Sequence, residues 1–142
     1  MTQALELIEV SVDYHRGGQP VHALDSVSLA IGRSESVAVM GPSGCGKSTL
    51  LGVLALTIPP TSGSVLVSGV PAPSSPDGRA RTRNRLLGLI PQSGAVIDHL
   101  SVLANVSLPL EYSRPRTRRR DRHERARQAL ADVGIGWAAA TT

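Results

Sequence analysis

Phenylalanine is absent from this 142-residue chain, and Trp137, Tyr14 and Tyr112 are its only aromatic residues. A core built here must rest on Val, Leu, Ile and Ala, and so few rings argue against a stacking platform for single-stranded nucleic acid. Cysteine occurs once, at Cys45. That rules out an internal disulfide, argues against a cysteine-built zinc site and suits a reducing compartment. An uninterrupted apolar leader is missing as well, because Glu6 and Glu9 fall within the first ten residues. The stretch from Ser48 to Pro76 carries no charge, but Pro59, Pro60, Gly63 and Gly69 break it. Its apolar run from Leu50 to Ile58 is too short to cross a bilayer. What remains, at 41% hydrophobic and 18% charged residues, is the composition of a soluble domain of ordinary size.

Lysine is nearly absent too. Fourteen of the fifteen basic residues are arginine, and eight of those lie between Arg114 and Arg127. A run of this kind is ordinarily a solvated helix face, with a nucleic-acid or acidic-membrane patch as the competing reading. The net charge is +4. Lys47 is the one lysine, kept where the chain otherwise always uses arginine.

Ile8, Val10, Val12 and Tyr14 alternate with polar residues, which predicts a half-buried strand. Gly17, Gly18 and Pro20 make a turn, and Val27, Leu29 and Ile31 give a second strand, so the two are expected to pair antiparallel. Val37 to Met40 is continuously apolar, the pattern of a strand covered on both faces. Ser48 to Leu56 reads as a helix with Leu50, Leu51 and Leu54 inward, stopped by Pro59 and Pro60. Val65 to Val67 is a short strand, Val70 to Gly78 a loop, and Leu86 to Ile90 another strand. Ser101 is placed to cap a helix through about Val106 that Pro109 closes. A long helix from about Thr117 to Val133 puts Ala126, Ala129, Leu130 and Val133 on one face and ends at Gly134. The tail after Gly136 has no readable pattern.

Between the apolar segment ending at Met40 and the first helix stands Gly41-Pro42-Ser43-Gly44-Cys45-Gly46-Lys47-Ser48, a complete G-x-x-x-x-G-K-[ST] loop in the strand–loop–helix context that gives it meaning. Glycines let the backbone curl around phosphates, so that amides from Gly44 to Thr49 point inward. The helix start adds free amides and a positive dipole end. Lys47 brings a compact cation to the β- and γ-phosphates, and Ser48 a hydroxyl to the magnesium ion between them. With Lys47 the sole lysine, the Asn-Lys-x-Asp motif that reads guanine cannot exist here.

GPSGCGKSTLL, followed by PTSGSVLVSG, resembles the ATP-binding subunit of an ABC transporter. HALDSVSLAI before the loop and LIPQSGAVIDHLSVLANVSLPL after it resemble the same family, most of all the branch serving lipoprotein release, macrolide efflux and peptide export. The resemblance runs from about Leu5 to Gly134. It implies an α/β P-loop NTPase core with an antiparallel β-layer and the start of a helical subdomain, so that residues 1–142 make one partial ATP-binding domain. It also implies that Tyr14 stacks on adenine, that Gln92 contacts magnesium and senses the membrane partner, and that Gly94 to Leu110 meets that partner, with Ile97 and Leu100 as exposed contacts. The implied ligands are ATP and Mg2+. The implied partners are a transmembrane permease subunit and a second ATP-binding subunit, at the inner face of the cell membrane, with no nucleic acid expected.

Three family features are missing from these residues: the LSGGQ signature, the Walker B strand ending in Asp-Glu, and the switch histidine. Ala95-Val96-Ile97-Asp98 imitates Walker B, but His99 stands where the catalytic Glu belongs. Ser34-Glu35 replaces the usual Gly-Glu turn. Two other readings remain open: a non-catalytic nucleotide-binding or regulatory module, and a small P-loop kinase using the arginines after Arg114. No catalytic residue is assigned, and the chain by itself is expected not to hydrolyse ATP.

Overall fold

The computed structural model describes residues 3–92, 94–113 and 117–140. They fall into two compact units, Met1–Leu87 and Gly88–Thr142. Among the described residues no helix is long and apolar enough to cross a membrane.

A four-stranded antiparallel sheet organises the first unit. β1 (Leu5–Arg16) and β2 (Gln19–Ile31) form the expected pair around Gly17 and Gly18. β3 (Ser62–Val67) adds to the other side of β1, and the short β4 (Val70–Pro71) follows it. The inward residues of β1 differ from strict alternation. Leu7, Val10 and Val12 are buried, whereas Ile8 is 43% exposed. The cause is a bulge at Glu9, whose φ is 47°. Leu7 pairs with Leu29 and Val10 with Val27, so β1 spends one residue more than β2 and the alternation changes phase. Gly63 of β3 lies against this bulge, and a Cβ there would fall 2.3 Å from the Glu9 carbonyl oxygen. Ser28 Oγ accepts from the Glu9 amide at 2.9 Å and Ser11 Oγ from the Ser26 amide at 3.0 Å. Amides displaced by the irregular register are thereby still paired.

α1 (Lys47–Leu54) buries Val53 and Leu54 in a core shared with Leu7, Val10, Val12, Leu24, Val65 and Val67. Leu50 is half-buried, and Leu51 turns outward at 52% exposure, its expected place taken by Val53. The helix ends before the prolines require it. Leu56, itself buried, takes a left-handed φ of 57°, and the amides of Leu56 and Thr57 bond back to the Val53 and Gly52 carbonyls at 2.9 Å.

Two expected strands do not form. Val37 to Met40 makes no ladder among the described residues, leaving Val37 45% and Met40 87% exposed. A strand exists through its hydrogen-bonded neighbour, and the four-stranded order puts none beside this segment. Residues 87–90 likewise lack a ladder, and Ile90 is exposed. The presumed loop from Val70 to Gly78 instead holds β4 and the first turn of α2 (Pro76–Leu86). Ser75 Oγ accepts from the Gly78 amide at 3.2 Å, Pro76 opens the first turn, and Asp77 sits at the positive dipole end.

The second unit pairs α3 (Val102–Glu111) with α4 (Arg119–Asp132), followed by a 3-10 turn at Gly136–Ala140. Ser101 caps α3 as expected, its Oγ accepting from the Ala104 amide at 3.2 Å. The helix runs through Pro109 to Glu111 rather than closing at it; so near the C-terminal end, few ladder bonds are left to lose. On α4 only Ala126 and Leu130 are buried, one turn apart, while Ala129 and Val133 are exposed. Gly134, with φ 78°, follows the helix end. Arg118, Arg119, Arg120, Arg125 and Arg127 are exposed. Arg122 turns in and donates to Glu111 Oε1 at 3.3 Å and to the Thr117 carbonyl at 2.8 Å. Arg114 and Arg116 lie outside the described residues. Trp137 is 74% exposed, and its neighbour Ala138 is the buried one.

Candidate functional site

The approach to the glycine loop begins at a tight turn. Ser34 takes φ 62°, and Glu35 Oε2 accepts from the Gly32 amide at 2.6 Å. A left-handed residue is the physical reason a glycine suits this position.

Beyond Met40 the loop folds over the start of α1. Lys47 reaches back across it, Nζ donating to the Gly41 carbonyl at 2.8 Å and to the Pro42 carbonyl at 2.6 Å, with Cys45 Sγ at 3.7 Å. Gly46 is the N-cap in the left-handed region, φ 94°, and a Cβ on it would meet the Ala23 carbonyl of β2 at 2.4 Å. The loop is therefore seated directly on β2, and only glycine allows it. Among the described residues no side chain caps α1, and its first turn holds no acidic residue. The first bond closed within it is Leu50 N–H to the Gly46 carbonyl at 2.8 Å. The amides of Lys47, Ser48 and Thr49 have no helical acceptor, so free N–H groups, a dipole end and an ammonium concentrate at one place. Pro42, Ser43, Gly44, Cys45 and Ser48 are exposed.

Tyr14, from the far end of β1, reaches this helix. Its hydroxyl lies 3.5 Å from Thr49 Oγ1, and the residue is 41% exposed. Gln92 belongs to the second unit, exposed in a turn. The segment after it is shaped by Asn105. Its Oδ1 accepts from the Ile97 amide at 2.8 Å, and its Nδ2 donates to the carbonyls of Ile97, Leu100 and Ser101 at 3.0–3.2 Å. That knot draws Ile97 and Leu100 into half-buried positions, and the exposed apolar residue is Val96 instead. Among the described residues no cluster of three or more His, Cys, Asp or Glu is placed to hold a metal ion.

A model of the family described as "ABC transporter" matches residues 24–142. The chain belongs to that family. This ABC chain is 39% identical over 137 residues to an "Uncharacterized ABC transporter ATP-binding protein" of Thermotoga maritima, covering 96% of itself and 58% of the relative. It is 40% identical to the lipoprotein-releasing system ATP-binding protein LolD of Bordetella avium, with 93% and 57% covered. A 38% identity links it to the macrolide export ATP-binding/permease protein MacB of Salmonella typhimurium, of which it covers 21%. Among solved structures it superposes on the dimeric ATP-binding cassette MJ0796 in a post-hydrolysis state bound to ADP and Pi. The TM-score is 0.79 at 32% identity, covering 89% of this chain and 56% of that one. CbiO1 of Clostridium perfringens, part of the transporter complex cbiONQ, matches with a TM-score of 0.73 at 26% identity, covering 95% of this chain and 52% of that one. The ABC chain thus spans little more than half the length of the first relatives it matches. Its fold is the N-terminal part of the α/β ABC cassette, antiparallel layer included.

Asp13, His22 and Thr61, beside Tyr14, escaped the sequence reading, as did Asn105. Counting register outward from the Gly17–Gly18 turn would have set Asp13 opposite His22, as the sheet does. Nothing in the local pattern marked Thr61, because its partner is distant in sequence.

Proposed function

We propose that the chain binds Mg·ATP at the loop from Gly41 to Thr49, as the ATP-binding part of an ABC transporter engaged in export or release. The carrying observation is the conjunction at α1: an uncapped helix start, Gly46 in a conformation that seats the loop on β2, and Lys47 drawn over the loop. Lys47 would exchange two neutral carbonyl partners for phosphate oxygens, a charge-assisted gain. The amides from Gly44 to Thr49 would hold the phosphates by backbone donors, and Tyr14 would stack on the base. Ser48 would offer its hydroxyl to magnesium, which would supply charge neutralisation for the phosphates, and the family resemblance implies a magnesium contact for Gln92 as well.

The proposal includes a transmembrane permease subunit as partner of the Gly94–Leu110 segment, a second ATP-binding subunit, and a place at the inner face of the cell membrane. Similarity to LolD and to MacB supports the export or release branch. Residues 1–142 are proposed as one partial ATP-binding domain. Calorimetric titration of Mg·ATP tests the reading. Because a charge-assisted hydrogen bond contributes about 1.5–3 kcal/mol, Lys47→Ala is expected to weaken binding roughly 10- to 100-fold. Equal affinities in two folded proteins would remove the assignment.

A further inference from the structure

Tyr14 stands on a ribbon of only two strands. The last pair joining β1 to β3 is Ser11 with Ser62, and beyond it, among the described residues, β1 has β2 as its sole strand partner. A two-stranded ribbon is marginal by itself in water. This one also sets Pro20, which has no amide to give, opposite His15, and it turns on two glycines. A ring that must keep one place over a bound base needs a firmer mount.

Asp13 supplies it. Its Oδ1 meets Nδ1 of His22, its register partner on β2, at 2.7 Å. Its amide donates to Thr61 Oγ1 at 2.9 Å, and the Thr61 amide donates to the Ser11 carbonyl at 2.8 Å. Thr61 follows Pro59 and Pro60, the stiff segment leading from α1 to β3. The ribbon is tied on one side to β2 and on the other to the body of the unit, at the residue next to Tyr14. Successive side chains of a strand take opposite faces, so the Asp13–His22 pair holds the ribbon from the face that Tyr14 leaves free, while Thr61 holds the Asp13 backbone at the strand edge. We infer that Asp13, gripped by His22 and Thr61, is a positioning residue for the nucleotide base: it fixes the Tyr14 ring beside the first turn of α1 and makes no nucleotide contact of its own. This rests on the reading of Tyr14 as the stacking residue.

The test separates base from phosphate. The full chain is titrated with Mg·ATP and with magnesium tripolyphosphate, which offers phosphates without a base, and circular dichroism checks each variant's fold. His22→Ala and Thr61→Val are expected to weaken ATP about two- to five-fold, the range of an exposed pair, and to leave tripolyphosphate unchanged. His22→Asn, whose Nδ2 takes the place of the ring Nδ1 and still offers an N–H to Asp13, is expected to restore ATP binding. In a Tyr14→Ala background neither substitution should matter further. Equal losses for both ligands, losses that persist without Tyr14, or no loss at all would overturn the inference. If Tyr14→Ala itself leaves the ratio of the two affinities unchanged, the stacking reading fails and takes the inference with it. If Tyr14→Ala weakens ATP alone while His22→Ala and Thr61→Val cost nothing, the positioning role alone is lost.

Discussion

Cys45 combines exposure with a place inside the loop, 3.7 Å from the Lys47 ammonium. A maleimide is expected to label it in the nucleotide-free protein, and saturating ATP to slow the reaction, since phosphates held by the neighbouring amides would screen the sulfur. Identical labelling rates with and without ATP would place Cys45 outside the site. Asn105 is a case of a different kind, with four hydrogen bonds gathered on one side chain. Truncation leaves the Ile97 amide and the Leu100 carbonyl short of a partner in a half-buried setting, while the Ile97 and Ser101 carbonyls keep the amides of Leu100 and Asn105. Asn105→Ala is therefore expected to lower stability by about 1–3 kcal/mol, read from the urea midpoint. A change too small to measure would mean that water replaces the side chain freely. Lys47, Ser48 and the loop glycines were legible in the sequence because their spacing is local and each has a single physical reason. Asn105 and Asp13 were not, since their value lies in carbonyls, amides and rings that only the folded chain brings near.

At the scale of elements, the sequence pattern predicted β1, β2, β3 and the helix after the loop, where alternation or an apolar run stopped by prolines is long enough to be read. It failed where pairing depends on a neighbour. Val37 to Met40 has the composition of a buried strand, yet it has no ladder among the described residues and leaves Met40 almost wholly exposed. Its amides are expected to exchange with deuterium far faster than those of Leu7, Val10 and Val12, which lie in the centre of the sheet between β2 and β3. Protection of Val37 to Met40 equal to that of β1 would show that the segment finds a strand partner in solution. α2 was missed for the opposite reason. None of its residues is buried, so no apolar stripe announced it, although Ser75, Pro76 and Asp77 together spell a helix start. The Glu9 bulge is the third lesson, one extra residue that turns Leu7 rather than Ile8 toward the core beside Val10 and Val12.

For the molecule as a whole, these residues are expected to bind ATP without turning it over. Hydrolysis requires a carboxylate to orient the attacking water and donors opposite the γ-phosphate. Asp98, the one acid in a sequence imitating Walker B, is exposed in a turn of the second unit. Steady phosphate release by monodisperse protein, abolished in Lys47→Ala, would sink this expectation and direct attention to Asp98. A single tryptophan has a further consequence for how such experiments are read. Trp137 lies in the second unit, mostly in water, while the loop, Tyr14 and the sheet lie in the first. Indole emission is thus a reporter for one unit alone: it should sit near the wavelength of free tryptophan and register melting of the helices around α4. Ellipticity, by contrast, records every element in both units. Two melting curves that part company would reveal two cooperative blocks, and a silent indole during an ATP titration would say nothing against binding.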